Sequence, residues 1–188
     1  MTQDQYSEYG ELDRSGGRAT LRFTRRLAHP PAKVWRALTE PEHLAAWFPT
    51  TIDGERAAGA KLSFAFRDMD MPALDGEMLV CDPPSLLELI WSDERLRFEL
   101  TPDGDGTLLR FTASFDELGR AARDGAGWHA CLDLMACDLS GQPAAWGPSE
   151  RWRQVPPGYV QRFGPEAATI GPPQEWQDAH GAADGPAD

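Results

Sequence analysis

A chain of 188 residues is long enough to bury one core without disulfides or a structural metal. Its net charge of −12 sets up a field that repels phosphate backbones and anionic membrane surfaces, which excludes nucleic acid as an expected partner. With 41% apolar residues, 18 glycines and 16 prolines, it reads as a globular chain rich in turns.

The cysteines Cys81, Cys131 and Cys137 form no CxxC pair and are odd in number, as suits free thiols in a reducing compartment, so the expected location is cytoplasmic. The opening residues carry no basic or apolar leader, and no stretch approaches the roughly 18 apolar residues of a membrane span.

Residues 1–17 are polar and close on the turn Ser15-Gly16-Gly17, with Tyr9 to Asp13 as a short edge strand. From Arg18 to Leu27 the chain alternates: Leu21, Phe23 and Leu27 share one parity while Thr20, Arg22, Thr24 and Arg26 share the other, as in a half-buried strand. Pro30-Pro31 ends that extension, and Pro31 suits the start of a short helix with Val34, Trp35 and Leu38 as its apolar stripe. Thr39 with Glu42 three residues later reads as a capping box for a second short helix ending near Trp47-Phe48.

A meander of strands follows, separated by Gly, Pro and Asp turns: Thr50 to Asp53 weakly, then Ala60 to Arg67, Asp75 to Cys81, Leu86 to Trp91, Glu94 to Thr101 and Thr107 to Phe115. Alternate side chains share a face. That places Leu62, Phe64 and Phe66 inward with Leu87, Leu89 and Trp91, with Leu96, Phe98 and Leu100, and with Leu109, Phe111, Ala113 and Phe115. A long helix from about Arg120 to Leu139 offers Trp128, Leu132, Met135 and Leu139 along one stripe to cover that face. Gly125 and Gly127 are costly inside a helix and mark an irregular first turn or a close approach to the sheet, and Gly141 is the expected stop.

Beyond Gly141 lie eight of the sixteen prolines, and residues 142–165 are expected to wrap the domain surface before a flexible tail over 166–188.

No phosphate-loop, nucleophile-elbow or zinc signature occurs, and the four histidines share no metal-ligand spacing. No catalytic residue, metal ligand or cofactor is therefore expected. Asp103-Gly104-Asp105-Gly106 resembles the start of a calcium loop, but Ser114 stands where the bidentate glutamate belongs, so a hairpin turn is the expectation. Cys131 and Cys137 lie about 240° apart around a helix and cannot pair with each other. The inward aromatics fit either a solid core or the lining of a cavity, and Arg25, Glu77 and His129 are the ionisable residues on the inward parity or the lid helix.

The stretch from Phe23 to Phe48, with Pro30-Pro31, Val34-Trp35, Leu38-Thr39-Glu40-Pro41 and Trp47-Phe48, resembles the opening of the homologues of the activator of the heat-shock protein 90 ATPase. These are members of the START-like (birch-pollen-allergen-like, SRPBCC) superfamily. Gly76-Glu77-Met78-Leu79, Asp82-Pro83-Pro84, Leu89-Ile90-Trp91 and Gly127-Trp128-His129 with Leu132 extend the likeness across about Ala19 to Gly141.

The resemblance implies an α+β helix-grip domain over residues 18–141. It has a curved antiparallel sheet of about seven strands, two short helices, and a long helix across the concave face. It also implies an apolar cavity lined by Phe23, Arg25, Leu62, Phe64, Phe66, Glu77, Leu79, Leu89, Trp91, Phe98, Phe111, Trp128, His129, Leu132 and Met135. The function expected is non-catalytic binding of a small hydrophobic or aromatic molecule by a monomer or homodimer. The alternatives are a chaperone- or stress-associated module with a protein partner, and a cyclase- or hydrolase-like enzyme.

Overall fold

A computed structural model describes residues 9–67, 70–146 and 156–172. Seven antiparallel strands form one open sheet: β1 (Glu11–Asp13), β2 (Ala19–Leu27), β3 (Lys61–Phe64), β4 (Leu74–Asp82), β5 (Leu86–Trp91), β6 (Glu94–Asp103) and β7 (Gly106–Phe115). Their spatial order is β1-β2-β7-β6-β5-β4-β3, so β3 to β7 run as a meander and only the β2–β7 pairing joins distant segments. Among the described residues four α-helices accompany the sheet: α1 (Pro31–Thr39), α2 (Pro41–Trp47), α3 (Ala121–Ser140) and α4 (Pro156–Phe163). The architecture is the α+β helix grip that the sequence implies. Among the described residues no helix is long and apolar enough to cross a membrane.

The inward parity of β5, β6 and β7 appears as expected. Leu87, Leu89, Leu96, Phe98, Leu109, Phe111, Ala113 and Phe115 are all buried, and α3 lays Trp128, Leu132, Met135 and Leu139 over them. Each such large side chain contributes about 1.5–3 kcal/mol on leaving water, which makes this one layer the main source of stability. Gly141, with φ 67°, ends α3 in the left-handed conformation that glycine adopts without a Cβ clash.

Three local expectations are corrected. The capping box does not form, because Pro41 occupies the first position of α2 and holds Glu40 extended as its N-cap, with φ −84° and ψ 132°. Thr39 stays in α1, and its hydroxyl donates to the Trp35 carbonyl at 2.8 Å. Thr50 to Asp53 is no strand: it makes only isolated bridges, Thr50 to Phe66 and Asp53 to Ser63.

In β4 the inward residues are Gly76 and Met78, opposite Trp91 and Leu89, and a register shift follows between Met78 and Val80. Leu79 is the extra residue of that bulge, and Glu77 faces outward to Lys61 at 2.7 Å. Position 76 admits only glycine, since a Cβ there would stand 2.0 Å from the Ile90 carbonyl oxygen and 2.5 Å from the Phe64 ring.

The stretch expected to wrap the surface contributes α4, whose Tyr159 is fully buried and whose Phe163 is nearly so. This helix packs against α3 and joins the same core as Phe23 of β2. Gly125 makes that approach possible, because a Cβ on it would lie 2.9 Å from Tyr159 and 3.2 Å from Phe163. The close approach expected at this glycine is thus to a helix and not to the sheet.

Candidate functional site

Three aromatic rings from three elements meet where the end of β5 passes under α3. Phe48, at the C-terminal cap of α2, lies 6.0 Å from Trp91 and 5.8 Å from Trp128. The Trp91 and Trp128 centroids are 5.6 Å apart with their planes at 70°. Phe111 continues the cluster beneath, edge-on to Trp128 at 5.0 Å and stacked on Phe98 at 4.5 Å. Edge-to-face contacts of this kind use the ring quadrupoles and fix the rings relative to one another.

Phe48 is anchored through its backbone. Arg67 donates to the carbonyls of Phe48 at 2.8 Å, Thr50 at 3.0 Å and Leu44 at 3.3 Å, placing its positive charge at the C-terminal end of α2. The Trp47 indole donates to the Ala37 carbonyl at 2.8 Å and ties α2 to α1. Trp91 is half-buried, yet its indole N–H is shut off from solvent with no hydrogen-bond partner among the described residues, and the fully buried Thr50 hydroxyl is in the same condition. Buried donors normally find partners, so both are donors available to an acceptor from outside the chain.

Beside the rings stands a buried acid. Glu94 is the cross-strand partner of Trp91 and therefore shares the inner face with it. One of its oxygens accepts from the Trp128 indole at 3.3 Å, and the other lies 3.3 Å from Arg120. Arg120 also contacts Asp93 and Asp124, each at 3.0 Å, and its guanidinium lies over the Phe115 ring at 4.7 Å. Burial, followed by the neighbouring Asp124 charge, pushes the Glu94 carboxyl up to about 7, and burial likewise raises Asp124.

A family model described as Activator of Hsp90 ATPase homolog 1-like protein matches residues 28–137. The chain belongs to that family. Among curated proteins none matches. Among solved structures, protein EF2215 from Enterococcus faecalis, described as a conserved protein of unknown function, has a TM-score of 0.67 at 21% identity, covering 82% of this chain and 90% of its own. The solution structure of CalU16 from Micromonospora echinospora gives 0.66 at 23% identity, over 90% and 97% of the two chains. The protein encoded by BPP1335 from Bordetella parapertussis gives 0.62 at 26% identity, over 86% and 95%.

In this activator-homologue domain the residues expected to line a cavity divide into three groups. Phe23, Leu62, Phe64, Leu89, Phe98, Phe111, Trp128, Leu132 and Met135 are buried in one shared core, and Trp91 joins them from the rim. Phe66 is half-buried and bridges to Thr50, while Leu79 sits in the β4 bulge and Glu77 on the outer face.

Arg25 lies 5.6 Å above the Phe23 ring, and its charge reaches Tyr159 of α4. His129 is buried on the flank of α3, with its ring against Tyr9 and Tyr159. One residue of advance along a helix turns a side chain by about 100°, so His129 points to the side of the stripe that Trp128 begins.

Sequence reasoning did not select Phe48, Glu94 or Arg120. For Glu94 the signal was present, since it has the inward parity of Leu96 and Phe98. Away from this site, Glu40, Glu42 and His43 bring donor atoms within 4.8 Å of one another, but Arg36 already bonds both Glu40 oxygens at 2.8 and 2.9 Å.

Proposed function

We propose that this domain binds a small, ring-bearing apolar molecule, without transforming it, at the Phe48, Trp91 and Trp128 rings between α3 and the inner face of the sheet. The observation that carries this reading is the unsatisfied Trp91 indole N–H inside an otherwise apolar ring cluster. A ligand with an apolar body and one acceptor atom satisfies that donor and stacks on rings already fixed in place. The remaining inward residues, from Phe23 and Phe64 to Leu132 and Met135, form the floor and roof that hold this end of the layer in shape.

A non-catalytic role fits the chemistry of the buried groups. Burial raises the Cys131 thiol to about 12, which leaves it no nucleophilic thiolate at neutral pH, and burial also raises the Tyr159 phenol. Three free thiols suit a cytoplasmic setting.

Titration with 1-anilinonaphthalene-8-sulfonate tests the reading. Saturable one-site binding to the native protein is expected, with quenching of tryptophan emission and about tenfold weaker affinity in Phe48→Ala. Absence of saturable binding, or equal affinity in Phe48→Ala, contradicts it.

A further inference from the structure

A groove of about 310 Å³ lies between α2 and the C-terminal end of α3. Small-ligand sites occupy about 300–1,000 Å³, so the groove has room for a compact molecule. Its walls are Ala46 of α2, Leu134, Cys137 and Asp138 of α3, and Pro143 and Ala144 of the chain that leaves the helix. Small side chains keep it open, and Gly141, at φ 67°, makes the turn after which Pro143 and Ala144 reach it. Cys137 follows Trp128 by nine residues, about 13 Å along the axis of α3, so the groove is separate from the ring cluster.

Asp138 is the charged member of these walls, and none of them is a lysine, arginine or histidine. Its side chain is only 20% exposed, and its Oδ2 meets Nδ1 of His43 at 2.8 Å. Oδ1 has no hydrogen-bond partner among the described residues. The nearby cations are engaged elsewhere: Arg36 bonds both Glu40 oxygens at 2.8 and 2.9 Å, and Lys33 bonds the Leu139 carbonyl at 2.6 Å. On its other side His43 faces two more carboxylates, with Nε2 3.7 Å from Glu40 and 3.8 Å from Glu42. The C-terminal end of α3 adds the negative pole of its dipole. A carboxylate oxygen largely withdrawn from water gains most from a charged donor, and the rest of the groove offers apolar surface.

We propose that the groove between α2 and α3 is a second binding site and takes a small primary amine with an apolar body. The ammonium donates to Oδ1 of Asp138, and the body lies against Ala46, Leu134 and Ala144. This site does not depend on the ring cluster, and either can hold a ligand without the other.

2-Phenylethylamine and 2-phenylethanol serve as probes at neutral pH, since they match in size and ring and differ in the charge of the head. The reporters are the backbone amides of Gly141 and Gln142, which bond the Asp138 and Cys137 carbonyls at 3.0 and 3.1 Å, followed in a 15N-labelled sample. Saturable shifts of both are expected, with the amine binding at least about fivefold more tightly than the alcohol. Bound amine is also expected to slow iodoacetamide alkylation of Cys137 at least about threefold and to leave Cys81, on β4, unaffected. Asp138→Asn is expected to bring the amine down to the affinity of the alcohol. Ala46→Leu, a change at an exposed position that a helix accepts, is expected to abolish the shifts by filling the groove. Equal or tighter binding of the alcohol to the native protein, or undiminished amine binding in Asp138→Asn, overturns the amine inference. Absence of saturable Gly141 and Gln142 shifts up to about 20 mM amine overturns the groove site altogether, and shifts confined to the Trp91 and Trp128 indoles do so while leaving the ring-cluster reading standing. The native-protein shifts need neither a variant nor a reactive thiol, so a misfolded variant leaves the test decisive.

Discussion

The Tyr159 hydroxyl lies 3.0 Å from Nδ1 of His129 and joins α4 to α3. The same hydroxyl accepts from the Gly10 backbone N–H at 2.8 Å, and on the other side of the ring Nε2 lies 3.5 Å from Asp133. One phenol thereby ties the N-terminal segment, the long helix and α4 together. Tyr159→Phe keeps the ring and removes both bonds, stranding the Gly10 N–H. The expected loss is about 1–3 kcal/mol of unfolding free energy, measured by urea denaturation. A change below about 0.5 kcal/mol contradicts a structural role for the hydroxyl.

Glu94 predicts an unusual pH dependence. Its carboxyl is raised in the folded state from an ordinary 4.5 to about 7, so between those values the folded protein holds a proton that the unfolded chain has lost. The stability this group contributes is complete below about pH 4.5 and is lost as pH rises through about 7. Glu94→Gln removes the titration. Relative to the native protein the variant is expected to gain stability when the pH is raised from 5 to 8, as read by denaturation at both values. An unchanged difference between the two proteins at pH 5 and pH 8 contradicts the assignment.

On the outer face, Glu88 is 1% exposed while its partners Arg95 and Arg97 are 54% and 38% exposed. The asymmetry sets the cost of breaking the cluster. Replacing both arginines with alanine strands a buried carboxylate and is expected to cost about 3–5 kcal/mol. Glu88→Leu leaves two guanidinium groups that water can reach, and is expected to cost at most about 1–2 kcal/mol. The reverse order in a thermal or chemical melt contradicts the burial of Glu88 as the controlling feature.

Most of the sheet was readable from residue parity. Leu87, Leu89 and Trp91, or Leu109, Phe111 and Phe115, repeat with the period that a half-solvated antiparallel strand imposes, and the stripe from Trp128 to Leu139 has the period of a helix facing it. In β4 the reading failed for a physical reason: Gly76 gives no hydrophobic signal, and the bulge at Leu79 reverses parity halfway along the strand. Helix α4 was hidden by its own start, Pro156-Pro157-Gly158, which reads as a turn. Gly158 is there because a Cβ would stand 2.6 Å from the Tyr9 ring.

The candidate site was half legible. Trp91, Trp128 and Phe111 followed from their faces, whereas the inward parity of Glu94 is offset by its charge, which suits solvent unless, as here, Arg120 and the Trp128 indole meet it. His129 was placed on the right helix. Its orientation depends on Tyr159, thirty residues further along the chain, and no local pattern reports that contact.

The most direct test of ligand binding at the ring cluster is the set of indole N–H resonances in a 15N-labelled sample titrated with 1-anilinonaphthalene-8-sulfonate. The account predicts saturable shifts of the Trp91 and Trp128 indole signals, with the Trp47 signal, bonded to the Ala37 carbonyl, unmoved. Bound probe with the Trp91 and Trp128 signals unchanged would contradict it.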